Sequence, residues 1–133
     1  MVNVLITTDS RYPVNRKIVR KAVLDTFAKH KIEESNAEVS IAVVGERKMK
    51  ALCISYLGDN QKHEVLTFVL EEIDSKVGSG FVKSPDGVLR LGDVILCWPQ
   101  VLETASSDDV LVDEKVYSLV SHGVEHLLGE DHE

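Results

Sequence analysis

The chain has 133 residues, of which 44% are apolar and 28% are charged, and its formal net charge at pH 7 is -7. These values predict one globular domain over residues 1–133 and exclude a disordered chain, because the apolar fraction is large enough to form a core. No run of about 18 apolar residues occurs, so no membrane-spanning helix is expected, and the first residues lack a signal-peptide pattern. Cys53 and Cys97 lie in apolar patterns, which indicates buried free thiols and a cytoplasmic protein.

The basic residues are concentrated near the start of the chain, where seven of the fifteen lysines and arginines fall between Arg11 and Lys31. The acidic total argues against nucleic acid as a partner. A local basic face can nevertheless bind phosphate, because charges more than about 8–10 Å away are screened. The simpler interpretation is a solvated helix surface. The face in question lies on the first predicted helix and consists of Arg16, Lys17, Arg20 and Lys21.

Hydrophobic periodicity predicts strands and helices that alternate along most of the chain. In chain order they are a strand at 2–7, a helix at 16–30, a strand at 38–44, a helix at 46–56, strands at 64–71 and 91–98, and a helix at 108–128. Glycine and proline residues predict a loop at 75–87, and Ser106 or Ser107 is the expected N-cap of the last helix. The order predicts an α/β (α+β) fold with a single mixed four-stranded sheet on which helices pack.

Three of the five histidines of the chain fall within eleven residues at its end. At about 100° per residue, His122 and His126 lie one turn apart on one edge of the last helix, beside its apolar stripe. Gly129 suits the left-handed conformation that ends a helix and would turn the chain back sharply. That turn would bring His132 within reach of the other two imidazoles.

Three imidazoles from one short segment suit Zn²⁺. Because no cysteine lies nearby to act as a fourth ligand, the site would keep one position for water, which is the pattern of catalytic zinc. Zinc lowers the pKa of such a water to about 7 and so provides a hydroxide nucleophile. The alternative is a helix with two polar histidines at its edge, a terminal histidine without a role, and no metal.

The stretch from His122 to His126 also fits the H-x-x-E-H pattern of a class of zinc peptidases, the inverzincins. In that pattern the two histidines bind zinc and the glutamate, in this chain Glu125, acts as the base. A peptidase would need a further acidic ligand, for which Glu64 or Glu103 would have to fold onto the site. Glu125 is also expected to project away from His126 on the helix, so this function is the weakest of the alternatives.

Several motifs of the second half of the chain resemble those of one protein family. HGVEHLLGEDH is similar to the H-G-x-L-H-L-x-G-Y-D-H signature of the YbeY family, LGDVILC is similar to its L-G-D-I-V-I-S strand, and EVLTF to the end of its P-T-D-V-L-S-F segment. The resemblance covers roughly residues 49–132. It implies a zinc-dependent single-strand endoribonuclease that hydrolyses RNA phosphodiesters with a zinc-bound water. Its implied partners are rRNA and the ribosome, in rRNA maturation and ribosome biogenesis.

The resemblance also implies roles for individual residues. His122, His126 and His132 match the ligands of one zinc ion per chain, at the end of the last helix. Thr67 matches a substrate-facing hydroxyl, and Asp131 matches an aspartate that would orient an imidazole or hold the turn. No general base is evident, and Asp131 and Glu125 are the nearest candidates. The basic residues of the first helix would contact the RNA backbone.

The chain departs from the family pattern at positions that bear on catalysis. The arginine of the family falls at Leu57, which removes a cation where the substrate is anionic. The other departures are Cys53 for asparagine, Lys62, His63 and Glu64 for Pro-Thr-Asp, Glu125 for leucine, and Glu130 for tyrosine. The departures at Leu57 and Glu130 favour a second function, that of a metal-binding, ribosome-associated factor with little or no nuclease activity.

Overall fold

The structure, a computed structural model, describes residues 1–70 and 87–129 of the chain. Strands and helices alternate through most of this part. In chain order they are β1 (Val2–Thr8), α1 (Arg16–Lys29), β2 (Ala37–Val44), α2 (Glu46–Leu57), β3 (Val65–Val69), β4 (Leu89–Cys97), α3 (Trp98–Ser107) and α4 (Val112–Leu127). The predicted loop at 75–87 falls, apart from Gly87, outside the described residues.

The four strands form one mixed sheet in the order β1-β2-β4-β3. β1, β2 and β4 are parallel, whereas β3 runs antiparallel to β4 at the edge of the sheet. The helix α1 connects β1 to β2, and its first turn is capped by Asn15, whose side chain accepts hydrogen bonds from the backbone N–H groups of Lys17 and Ile18. The predicted fold class, a mixed four-stranded sheet with helices packed on it, is confirmed.

Helices cover the two faces of the sheet unequally. Alternate residues of β4 point to opposite faces, so Val94 and Leu96 join a large apolar cluster with α1, α3 and α4, whereas Cys97 joins a smaller cluster with α2. Only Met49 and Cys53 of α2 are buried. Both cysteines are buried and free, as predicted.

The prediction of a last helix that starts at residue 108 is wrong, because two helices, α3 and α4, lie between β4 and the end of the described residues. α3 follows β4 at once, with Pro99 in its first turn and an apolar face that includes Val101 and Ala105. Ser107 therefore ends α3 and does not cap α4. The chain turns at Asp109, which has a φ of 56°, and α4 begins at Val112. At the other end, Gly129 has a φ of 90°, so the predicted left-handed position is confirmed.

No helix in the two described ranges is long and apolar enough to cross a membrane.

Hydrogen bonds and ion pairs tie α1 to α4. Asp25 accepts a hydrogen bond from the Tyr117 hydroxyl at 2.7 Å and pairs with Lys21 at 2.8 Å. The bond from Lys21 and then that from Tyr117 lower the pKa of Asp25. The same Asp25 contact, together with burial, raises the pKa of Tyr117. The neutral phenol is thus the form that this helix contact favours.

We expect the Tyr117 phenol to titrate at a higher pH than the ordinary tyrosine value of about 10. Since its pKa is higher in the folded protein than in the unfolded chain, its contribution to stability is full below about pH 10 and is lost as the pH rises through the folded value. Near-ultraviolet absorbance against pH measures the step, and Tyr117→Phe identifies it by removing it. Asp25→Asn should move the step to lower pH, and an unchanged step in that variant would contradict the assignment of the shift to Asp25.

Candidate functional site

Two histidines lie side by side on the last turns of α4. Their Nε2 atoms are 3.0 Å apart, and the rings are perpendicular with centroids 4.5 Å apart. His122 is exposed and His126 is half-buried. One turn of helix separates them, so the backbone of α4 holds both imidazoles on the same edge.

The separation of the two Nε2 atoms is compatible with a shared metal ion as well as with a hydrogen bond between the rings. A hydrogen bond between them requires one ring to donate and the other to accept, and hence two different tautomers. Two ligands of a tetrahedral zinc at 2.0–2.1 Å have nitrogen atoms about 3.3 Å apart, which is a few tenths of an ångström more than the observed separation. The pair therefore needs only a small adjustment to bind zinc through both Nε2 atoms.

The third predicted ligand, His132, lies outside the described residues, as do Glu130 and Asp131. Within residues 1–70 and 87–129 no group of three or more His, Cys, Asp or Glu side chains is placed to hold a metal ion. Glu64, which the peptidase function would need as an acidic ligand, has an oxygen 3.7 Å from the Lys115 ammonium. The described part of the site is therefore a pair of histidines.

Beneath the histidine pair, α4 lies almost directly on the last two strands. A Cβ atom on Gly123 would be 2.7 Å from Val94 Cγ1 and 3.3 Å from Thr67 Cγ2. The methyl group of Thr67 thus lies against the helix residue that follows His122. Only a residue without a side chain permits this approach, so Gly123 brings the histidine edge of α4 close to β3.

A second glycine, Gly92, supports the last turn of the same helix from the sheet. Its φ is 144°, it lies where the β2–β4 register shifts, and a Cβ there would collide with the backbone oxygen of Phe68. The same Cβ would be 3.0 Å from Leu127 Cδ2. Gly92 is the glycine of the LGD motif, so this motif shapes the surface on which α4 ends.

Glu125 lies next to the histidine edge of α4, on the side that faces α1, about 60° round the helix from His122 and about 100° from His126. Its Oε1 is 2.7 Å from the Lys29 ammonium on α1, and its side chain is 12% exposed. The structure therefore places this candidate base in an ion pair with Lys29 of α1. The pair also shows how a carboxylate is accommodated where the YbeY signature has leucine.

The basic residues predicted for RNA contact lie on α1, which packs against a different face of α4 from the histidine edge. α1 meets α4 through the Asp25–Tyr117 and Lys29–Glu125 contacts, about 100° round the helix from the histidine edge. Arg16, Lys17, Arg20 and Lys21 are exposed, and Lys21 is paired with Asp25. The structure does not bring these four side chains together with the histidines.

Another basic surface, which the sequence interpretation missed, lies on and after α2. Its members are exposed and form no ion pair with the described residues. They are Arg47, Lys48, Lys50 and Lys62. The signal was present in the stretch ERKMK, but on charge alone it does not differ from a solvated helix face.

The end of α2 lies beside the edge strand that carries Thr67. The Tyr56 ring contacts the Phe68 ring at a centroid distance of 4.9 Å, and this contact fixes α2 against β3. Leu57, which the resemblance to the family matches to an arginine, is 50% exposed. An apolar side chain therefore faces solvent at this position.

Comparison with known proteins gives the family of the chain. The family model described as Endoribonuclease YbeY matches residues 6–133. The chain belongs to the YbeY family. A relative named Endoribonuclease YbeY from Dehalococcoides mccartyi is 31% identical over 134 residues, covering 98% of this chain and 77% of the relative. One of the same name from Azoarcus sp. is 36% identical over 99 residues, covering 74% of this chain and 37% of the relative.

A solved structure agrees with the fold. The solution structure of a Thermotoga maritima protein matches with a TM-score of 0.60 at 22% identity, covering 100% of this chain and 75% of the other. At this level of identity the structural likeness supports the arrangement of strands and helices only. The predicted resemblance to the YbeY family is confirmed by the family match.

We expect Gly92→Ala to lower the free energy of unfolding by about 2–4 kcal/mol, because the new Cβ meets backbone that cannot move aside. Gly58→Ala is the matched control, since Gly58 also has a positive φ, 69°, but a Cβ there meets nothing within 4 Å. Gly58→Ala should lower the free energy of unfolding by about 1 kcal/mol, because a positive φ by itself is unfavourable for alanine. Urea denaturation measures both, and equal losses would contradict the role assigned to Gly92.

A second set of variants tests the Lys29–Glu125 pair. Lys29→Met should lower the free energy of unfolding by about 1–3 kcal/mol, because it removes the cation that lies 2.7 Å from a largely buried carboxylate. Glu125→Leu should be close to neutral, and the double variant should recover most of the loss. Lys17→Met, an exposed lysine of the same helix, should change stability by less than about 0.5 kcal/mol. A double variant no more stable than Lys29→Met alone would show that the two residues are not coupled.

Proposed function

We propose that this chain is a zinc-dependent single-strand endoribonuclease that acts in rRNA maturation in the cytoplasm. The observation that carries the proposal is the histidine pair, with Nε2 atoms 3.0 Å apart on one edge of α4. Membership of a family whose model is described as an endoribonuclease supports the choice of RNA as the substrate. The rRNA and the ribosome are the partners that go with this activity.

In this proposal His122, His126 and His132 hold one zinc ion through neutral imidazoles. For the described pair, both Nε2 atoms must offer lone pairs, so each ring carries its proton on Nδ1. Asp131 would accept the N–H of one imidazole and fix its tautomer. Zinc supplies a Lewis acid for the phosphoryl group and a water of lowered pKa.

The neutral ligand set suits an anionic substrate. Imidazoles do not cancel the charge of the cation that they bind, so a phosphodiester is attracted to the site. Glu125 does not oppose this attraction directly, because its carboxylate is paired with Lys29 at 2.7 Å. Thr67 lies under α4 beside the pair, where we propose that it contacts the RNA.

The path of the RNA is set by the two basic surfaces. Contacts with Arg16, Lys17 and Arg20 would require the strand to run from the end of α4 back to the first turns of α1. Contacts with the basic surface of α2 would require it to pass the edge strand β3, where Leu57 and Tyr56 are exposed. The exposed aromatic ring at this edge offers a stacking surface for a base, which favours the second path.

One observation favours the alternative, a metal-binding, ribosome-associated factor with little nuclease activity. Leu57 is exposed at the position of the family arginine, so the anionic transition state lacks a cation there. In this alternative the histidines still bind zinc, but cleavage is slow.

The first experiment measures zinc per chain by elemental analysis in the wild type, His126→Ala and His63→Ala. We expect one zinc in the wild type and in His63→Ala, whose histidine pairs with Asp59 away from α4. His126→Ala should lose most of its zinc and should lose cleavage of a single-stranded RNA by about 10²-fold or more. Zinc retained in His126→Ala, or absent from the wild type, would overturn the proposal.

Leu57→Arg separates the two functions. If the missing cation limits catalysis, this variant should cleave the same RNA about 10–100 times faster at unchanged zinc content. Zinc bound without cleavage in both the wild type and Leu57→Arg would support the ribosome-associated factor. Leu57→Met is the control for the change in side-chain shape, and it should cleave at the wild-type rate.

A further inference from the structure

A cavity of about 200 Å³ lies on the other face of the sheet from the histidine pair. It is formed by α2, the segment before β3 and the first turn of α3, and its floor is Met49 and Cys97. These two residues belong to the smaller apolar cluster, on the side of β4 opposite α4. At liquid density the volume corresponds to about six or seven waters, which is room for one flat heterocyclic base.

The most specific feature of the cavity is a carboxylate held by a buried amide. Gln100 is 7% exposed, and its Nε2 donates to Glu46 Oε1 at 3.3 Å. Because Gln100 is fixed by packing, it also limits the positions that the Glu46 carboxylate can take. An ionised carboxylate only accepts hydrogen bonds, so it selects a ligand edge that carries N–H donors.

Among the nucleobases, guanine presents two adjacent donors, N1–H and the N2 amino group, on one edge. Adenine, cytosine and uracil each place an acceptor next to the donor on the corresponding edge. A carboxylate can therefore accept two parallel hydrogen bonds from guanine but only one from the other bases. This pattern of donors discriminates among the bases, because only guanine offers a donor to each of the two carboxylate oxygens of Glu46.

The floor and the rim of the cavity fit the rest of a nucleotide. Met49 and Cys97 close the floor of the cavity with sulfur-containing apolar side chains, which are 2% and 1% exposed. Burial raises the pKa of the Cys97 thiol, which keeps it neutral. Lys50 and Lys62 line the same cavity, are exposed, and have no ion pair within the described ranges. Their ammonium groups are available to a phosphate.

We propose that this cavity binds a guanine nucleotide, with Glu46 on the Watson–Crick edge of the base and Lys50 and Lys62 on its phosphate. The nucleotide is either free GMP or a guanosine within single-stranded RNA. The second source rests on the proposed endoribonuclease function, whereas the first does not. The cavity and the histidine pair lie on opposite faces of the sheet, so binding can be measured without metal and without cleavage.

The test is calorimetric titration of the full chain, treated with chelator, with GMP, AMP and CMP. We expect GMP to bind at least about tenfold more tightly than AMP or CMP. Glu46→Gln should remove this preference, because the amide replaces an acceptor with a donor. Glu103→Gln makes the same charge change on an exposed residue of α3 outside the cavity, and it should bind GMP like the wild type. Equal affinity for the three nucleotides, or unchanged GMP affinity in Glu46→Gln, would overturn the proposal.

Two further comparisons test the rim and the source of the nucleotide. Lys62→Ala should weaken binding of GMP but not of guanosine, which has no phosphate. Equal effects on both ligands would contradict the proposed contact between Lys62 and the phosphate. A short single-stranded RNA with one guanosine, compared with the all-adenosine RNA of the same length, identifies the source. Tighter binding of the guanosine RNA than of GMP favours RNA, and the reverse favours the free nucleotide. Neither result depends on nuclease activity, so failure of that activity does not affect this test.

Discussion

The site depends on how closely α4 approaches the last two strands. Gly123 on the helix and Gly92 on β4 both lack side chains where the two layers meet, and a Cβ at either position would clash with its neighbours. This contact places the histidine edge of α4 beside β3. It also explains why the glycines of the two motifs matter for geometry although neither takes part in chemistry.

The same helix is held on its other side by polar contacts with α1. Asp25 joins Lys21 and Tyr117, and Lys29 pairs with Glu125. The chain can therefore carry a glutamate in the middle of its histidine motif, because a lysine on a neighbouring helix neutralises it. A departure from a family motif is in this case explained by a residue almost a hundred positions away in the sequence. No such compensation is seen at Leu57 among the described residues, because its exposed side chain carries no charge that could replace that of an arginine.

Much of the fold could be predicted from the sequence, because apolar residues recur at regular helix or strand spacing in most segments. The strands β1, β2 and β4 and the helices α1 and α2 lie where apolar spacing and turn residues predicted them. α3 was missed because its ten residues directly follow a buried strand, so that Trp98 was assigned to the strand and Ser107 to a cap. Helical spacing predicted that His122 and His126 lie close together, but it could not predict the Lys29–Glu125 pair or the cavity beside α2. Both of these depend on contacts between distant parts of the chain.

Few buried side chains hold α2 on the sheet, so this helix should open locally more easily than the others. This helix buries two side chains, whereas α4 buries seven positions between α1 and the sheet. The free energy needed to open an element locally rises with the apolar contact that it must break. Backbone amides of α2 should therefore exchange with solvent through a local opening, while those of α4 exchange only when the whole domain unfolds. A ligand bound between α2 and the sheet would oppose that opening by mass action. Binding in the cavity would therefore also reduce the opening of the end of α2, where Tyr56 and Leu57 border the edge strand.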